Sequence, residues 1–334
     1  MNNNFKAMLV SETETKEFHR EIVTREIKDL PEGDILINVK YSSLNYKDAL
    51  SATGSPGVTR NYPHTPGIDA AGIVAESNDD NLRAGDKVLV TGYDLGMNTS
   101  GGYGEYIRVP ASWVVKLPEN LSLRESMIFG TAGFTAALSV YKLVNSGVKP
   151  QDGDILVTGA TGGVGSTAVS ILNKIGYSVI GATGKTNEKE MLIEIGAKDI
   201  IDRKEIDDAS GRALLKGRWA GVIDTVGGNI LATAIKSTNY GGSVTCCGNV
   251  SAHEFSTSVY PFILRGVTLF GVDSVQCPMD TRLKIWDKLA SDWKPDNLND
   301  NVDEVSLEEL IKKIDIILEG KNKGRTIVNL DYSE

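Results

Sequence analysis

Apolar and polar positions follow two different rhythms along this chain. In the first third they alternate over short runs bounded by glycine and proline. Ile35-Leu-Ile-Asn-Val-Lys-Tyr41, Gly72-Ile-Val-Ala75 and Lys87-Val-Leu-Val-Thr91 carry the alternation of half-buried strands. The turn Ala84-Gly85-Asp86 introduces the third of them. These runs predict a compact antiparallel β unit with long loops. Near residue 125 the rhythm lengthens. Ser126–Leu143 is helical in pattern, with Gly130 and Gly133 allowing close approach of a neighbour. Beyond the turn Pro150-Gln-Asp-Gly-Asp154, strands expected at Ile155–Thr158, Ser178–Ala182, Asp199–Ile201, Gly221–Thr225 and Ser243–Cys247 alternate with helices. That alternation predicts a parallel, doubly wound sheet. After about residue 265 loops return, with helices near 281–290 and 307–318 and a last strand at Thr326–Leu330. The fold class is therefore α/β, with a β-rich domain over 1–125 and 266–334 and a nucleotide-type fold over 126–265 inserted into it.

A length of 334 residues agrees with two domains. With 41% apolar and 24% charged residues the chain is not of the disordered class. Lys plus Arg number 35 against 44 Asp plus Glu, a net charge of −9, which is not the footprint of a nucleic-acid binder. Cys246, Cys247 and Cys277 cannot make a disulfide framework and read as small buried hydrophobes in a reducing compartment. The first residues lack a basic stretch followed by an apolar one, and no apolar run approaches the roughly 20 residues of a membrane span. A cytoplasmic protein with no membrane partner is expected.

The strongest motif is Ile155-Leu-Val-Thr-Gly159-Ala-Thr161-Gly162-Gly163-Val164-Gly165, an apolar strand running through a glycine-rich turn into a helix. Gly165, Ala168, Leu172 and Ile175 give that helix a sheet-packing face. Glycines let the backbone turn tightly and approach phosphates, and the helix N-terminus offers N–H groups to a pyrophosphate. A dinucleotide site is expected over Thr161, Gly162, Gly163 and Val164. A site for NAD carries an acid at the end of the second strand, about 20 residues on, to hold the ribose 2′-hydroxyl. Here that place reads Thr183-Gly184-Lys185, and Arg203 follows the third strand. Cations suit a 2′-phosphate where a carboxylate would repel it, so the cofactor inferred is NADPH. The plainer role for Lys185 is to cap a surface loop.

Several strings together resemble the medium-chain dehydrogenase/reductase superfamily. They are Ser43-Leu-Asn45-Tyr46-Lys-Asp48, Pro66-Gly67-Ile-Asp69-Ala-Ala-Gly72, Gly101-Gly-Tyr-Gly-Glu105, Gly130-Thr-Ala-Gly133, the glycine loop, Asp224-Thr-Val-Gly227 and Gly324-Arg325-Thr. Ser42–Leu50, Pro261-Phe-Ile-Leu-Arg265 and Gly271-Val-Asp-Ser274 resemble its YhdH/YhfP group of acryloyl-CoA-reductase-like and quinone-oxidoreductase-like proteins. The resemblance implies a GroES-like catalytic domain and an inserted NADP-binding Rossmann domain. Zinc members of the superfamily place a Cys ligand near Asn45–Asp48 and a His-Glu pair near Gly67–Gly72, where this chain has Asn45 and Ile68-Asp69. His19, His64 and His253 stand in no ligand spacing, so no metal is expected.

What the resemblance implies is hydride transfer from NADPH to a conjugated C=C of acryloyl-CoA or a similar enoyl ester or enone. A quinone reductase of detoxification is the alternative, and a non-catalytic NADPH-binding sensor a third. Asn45 and Tyr46 would lie beside the nicotinamide and its ribose, Tyr46 either as proton donor or as cofactor contact. Asp48 would orient Lys47 or a ribose hydroxyl, or cap a turn. Further cofactor contacts carry over to Asn249, Ile263, Ser274 and Lys321. A CoA ester would need cations for its phosphates, and Arg60, Arg282, Lys284, Lys321, Lys323 and Arg325 are the candidates. Members often dimerise through sheet edges, and Gly266–Val272 is the candidate edge of a homodimer.

Overall fold

The computed structural model describes residues 3–331. The chain divides into two units: Met1–Thr131 with Val275–Lys284 and Leu298–Glu334, and Ala132–Ser274 with Ile285–Asn297.

The first unit is built on a seven-stranded sheet. In spatial order it runs Val302–Val305, Arg325–Asn329, Ile35–Ser43, Asp69–Ser77, Lys87–Thr91 and Val115–Lys116, with Tyr106–Val109 also paired to Ile35–Ser43. The first pair is parallel and the rest are antiparallel. Alternation puts Ile35, Ile37 and Val39 into a core with Val88, Val90, Ile107 and Val328, closed by Leu310 and Ile314 of the helix Leu307–Leu318. Ser306 caps that helix by accepting from the Glu309 N–H. Between Ile35–Ser43 and Asp69–Ser77 the register slips between Val39 and Tyr41. The serines that end the first of these strands meet Asp69 there, and the Ser42 hydroxyl donates to the Asp69 carbonyl at 2.6 Å.

The second unit holds a six-stranded parallel sheet. Its order is Asp199–Asp202, Val179–Thr183, Ile155–Thr158, Trp219–Asp224, Thr238–Cys246 and Thr268–Gly271. Numbered along the chain this is 3-2-1-4-5-6, the dinucleotide-fold order. Ile155–Thr158 and Val179–Thr183 are buried throughout, as central parallel strands must be. Residues 266–274 read as part of the β-rich domain in sequence. In the structure Val244 stands opposite Leu269, so they complete the parallel sheet. Ile285–Asn297 also belongs to the second unit, where the Trp286 ring stacks 5.9 Å from Phe134.

The helix Leu123–Asn145 is broken at Gly130, whose φ of 49° is left-handed. It is long and apolar enough to cross a bilayer, yet 78% of its most apolar window is buried within the protein, which makes it a core helix. Cys246 and Cys247 are half-buried and Cys277 is buried.

Candidate cofactor and active sites

In the second unit the strand Ile155–Thr158 ends at Gly159, which adopts φ 59°. A Cβ there would meet the Thr225 hydroxyl and Val226, so only glycine fits. Gly162 is the N-cap of the twelve-residue helix Gly163–Lys174, and around it a Cβ would find nothing nearer than 3.4 Å. A Cβ on Gly165 would stand 2.3 Å from the Gly159 carbonyl oxygen, so Gly165 lets the helix fold against its own loop. The first N–H groups of this helix have no partners within it. An open, close-approach backbone at the start of a long helix fits a dinucleotide pyrophosphate.

The Thr161 and Thr183 hydroxyls stand 3.1 Å apart and tie this loop to the end of the second strand. Thr183 Oγ1 also accepts from the Lys185 N–H at 3.0 Å. Arg203 lies over Gly184, whose Cβ would come 2.8 Å from its Nε. The structure thus brings Thr183, Gly184, Lys185 and Arg203 to one place. The neighbouring acids turn to the backbone: Asp202 accepts from the Lys204 N–H at 2.8 Å and Glu205 from the Asp202 N–H at 3.0 Å.

Where the strand order reverses, Asp224 accepts from the Thr158 hydroxyl and from the Gly227 N–H, both at 2.8 Å. Burial pushes its carboxyl up to about 6. In the sequence Asp224 stands only within the string Asp224-Thr-Val-Gly227, with nothing local to mark a role. Its bonds lock the ends of the two central strands beside the glycine loop. Asn249 is exposed, its Cα within 3.3 Å of where a Gly227 Cβ would be. Ile263 is exposed on the helix Tyr260–Arg265, and the Ser274 hydroxyl accepts from Thr135 at 2.8 Å. Lys321 lies in the first unit, exposed and paired with Glu319 at 2.7 Å.

In the first unit, the stretch after the strand Ile35–Ser43 turns into the short helix Tyr46–Ser51 with Asn45 at its N-cap. Asp48 accepts from the Asn45 N–H and the Ile68 N–H, both at 2.8 Å, pinning the helix start to the strand that begins at Asp69. Asp69 accepts from the Ser43 hydroxyl at 2.5 Å, the Asn45 amide at 2.7 Å and the Thr131 hydroxyl at 2.6 Å. The Thr131 N–H, which follows the break at Gly130, donates to the same carboxylate at 2.9 Å. Arg325 donates to the Ile128 backbone carbonyl at 2.8 Å and the Ser43 hydroxyl at 3.1 Å, and faces the Asn45 side-chain amide oxygen Oδ1 at 3.5 Å.

Asp48 and Asp69 have no exposed surface. Burial first, and the nearby Asp69 second, push Asp48 up to about 7. Burial also lowers Arg325, against the two carboxylates that raise it. Of the three residues expected to do chemistry, Asn45 and Asp48 are therefore inside the unit, and Asp48 caps the turn rather than reaching a ribose. Tyr46 is 48% exposed and faces outward. Two of the candidate phosphate cations are not surface groups. Arg325 is buried as described. Arg282 is buried under Tyr93, donating to Thr91 and Val275. Arg60, Lys284, Lys321 and Lys323 are exposed. Among the described residues, no three or more His, Cys, Asp or Glu side chains gather as a metal site.

Two family models match the chain: "Alcohol dehydrogenase GroES-like domain" over residues 31–119 and "Zinc-binding dehydrogenase" over 163–291. YhfP of Bacillus subtilis is 49% identical over 92% of this chain and 94% of its own. The chain belongs to the medium-chain dehydrogenase/reductase family. As a medium-chain dehydrogenase/reductase it is an oxidoreductase. A crystal structure of YhfP with NAD bound superposes with a TM-score of 0.95, covering 98% of this chain and 99% of that one at 47% identity. That of the yhdH oxidoreductase of Salmonella enterica in complex with NADP gives 0.94, covering 97% and 99% at 43% identity. Acrylyl-CoA reductase AcuI of Ruegeria pomeroyi is 42% identical over 91% of this chain and 92% of its own.

The buried carboxyls of this dehydrogenase/reductase give its stability a pH signature. Asp48 rises from 3.8 to about 7 on folding and Asp224 to about 6. Between those limits the folded chain holds protons that the unfolded chain releases, so stability falls as pH rises. The urea midpoint is expected to drop between pH 5 and pH 7.5, and Asp48→Asn to flatten that drop. A midpoint that is level or rises across the window contradicts a protonated Asp48.

Proposed function

We propose that this chain reduces a carbon–carbon double bond conjugated to a thioester carbonyl, with acryloyl-CoA as the smallest substrate of the class and NADPH as reductant. The observation that carries this reading is the state of Asn45 and Asp69. The resemblance puts zinc ligands in these stretches. Here the two side chains are bonded to each other, to Ser43 and to Thr131, and an Arg325 guanidinium stands beside them. A donor set committed to hydrogen bonds and a buried cation does not fit a divalent metal. Polarising an alcohol or a simple ketone through a metal is therefore not the chemistry of this site, and a conjugated alkene, activated by its own carbonyl, is.

NADPH supplies the hydride when bound. Gly162, Gly163 and Val164 hold its pyrophosphate at the helix start, with Thr161 and Thr183 shaping the loop. Lys185 and Arg203 hold the 2′-phosphate by charge-assisted hydrogen bonds. Charge develops on the carbonyl oxygen during reduction, so a donor there lowers the barrier. Tyr46 is the most exposed residue of the Ser43–Asp48 stretch, and its hydroxyl takes that part, or delivers the proton to the α carbon. The name and 42% identity of AcuI support the thioester as substrate.

The test follows NADPH absorbance on adding acryloyl-CoA or 1,4-benzoquinone to the purified protein. Rapid loss with acryloyl-CoA is expected. Loss with the quinone alone moves the chain to the quinone-reductase reading, and binding without loss for either leaves the sensor. The same reading includes a homodimer, supported by the position of Thr268–Gly271 as the last strand of its sheet, with one edge unpaired in that sheet. Light scattering is expected to give twice the chain mass of 35.9 kDa, and a single-chain mass contradicts it.

A further inference from the structure

Asp69 ties together three segments: the end of the strand Ile35–Ser43, where Ser43 stands opposite Ile327, the helix N-cap Asn45, and Thr131 just after the break at Gly130. The packing is tight. A Cβ on Gly130 would stand 2.5 Å from both the Asp69 carboxylate and the Ser43 hydroxyl and 3.0 Å from an Arg325 nitrogen. Two of the side chains between Asp69 and Arg325 are bridges. The Ser43 hydroxyl donates to the carboxylate and accepts from the guanidinium. The Asn45 amide turns its NH2 to Asp69 and its oxygen toward Arg325. An anion on one side and a cation on the other leave that amide one orientation.

A buried charge group of this kind adds little net stability, because desolvation offsets most of the attraction. What it does add is a single geometry. The chain it fixes runs Ser42 to Ala49, of which only Tyr46 is exposed. We infer that Asp69, balanced by Arg325, is a positioning residue of the reductase reaction, fixing the Ser43–Asn45 exit and through it the place of the Tyr46 hydroxyl. This rests on the function proposed above.

The test is Asp69→Asn in the full chain, with NADPH and the same chain unaltered run alongside. A reacting group displaced by about 1 Å costs on the order of 10²-fold in rate. The variant is expected to lose about 10- to 100-fold in kcat. Its kinetic isotope effect, with deuterium at the transferred position, should rise as hydride transfer becomes the slow step. Affinity for NADPH should stay within about twofold. A lower melting temperature with kcat per cofactor-binding chain and the isotope effect unchanged overturns the inference, because that is all a purely structural residue would do. If Asp69→Asn does not fold, Ser43→Ala serves: it cuts one bond to Asp69 and one to Arg325 and is expected to show a smaller loss with the same rise. A folded Ser43→Ala with both quantities unchanged overturns it equally. An unaltered chain that turns over no acceptor fails the functional reading itself, and is told apart because the failure is there before any substitution.

Discussion

Replacing Lys185 and Arg203 together by alanine is expected to weaken NADPH binding by about 10² to 10⁴-fold while NADH binding changes by less than about threefold. Each charge-assisted bond to a phosphate contributes roughly 1.5–3 kcal/mol, and every 1.4 kcal/mol is about a factor of ten. NADH lacks the group these side chains would meet, so it loses nothing by their removal. The geometry behind this is the stacking of Arg203 over Gly184 and the hydroxyl of Thr183 that accepts the Lys185 N–H. Fluorescence titration with both nucleotides checks it. An equal loss for both would make the two cations supports of the loop, and no loss for either would place the 2′-phosphate elsewhere.

Tyr46→Phe is expected to lower kcat by about 10²- to 10³-fold with acryloyl-CoA, the range for loss of an oxyanion donor or a general acid. Phenylalanine keeps the ring and removes only the hydroxyl, so packing against any neighbour is retained. NADPH affinity should stay within about twofold. Steady-state kinetics beside a binding titration separates the two roles that the sequence leaves open. A fall in affinity with kcat intact would make Tyr46 a cofactor contact and would leave the proton to another group.

How much of this was legible in the sequence depends on how local each feature is. The glycine loop was, because strand, turn and helix are contiguous and each glycine has a reason within a few residues. The cationic pair at the end of the second strand was too, since Lys185 follows that strand and Arg203 the strand paired beside it. Thr268–Gly271 was only in part: Gly266–Val272 reads as a sheet edge, but the strand is four residues long and not buried, and its partner lies some twenty residues back in the chain, so a boundary drawn at residue 265 leaves it outside the unit whose sheet it completes.

The buried polar group of the first unit was the least legible. Ser43 and Arg325 are 282 positions apart, and Asp69 and Thr131 are 62 apart. A lone charged residue reads as exposed by default, which is why Arg282 and Arg325 stood among the surface cations. Nothing short of the tertiary fold could pair them. Gly130 carried a partial signal: it was read as a place of close approach, and it is one, but its left-handed φ also frees the Thr131 N–H that Asp69 accepts.

The central claim is hydride addition to the β carbon of a conjugated thioester. The most direct measurement is the position of the label after turnover of acryloyl-CoA with NADPH carrying deuterium at the transferred position, read by nuclear magnetic resonance of the product. The account predicts propionyl-CoA with one deuterium on C3 and a solvent-derived proton on C2. A thioester recovered without deuterium, or with deuterium on C2, would contradict it.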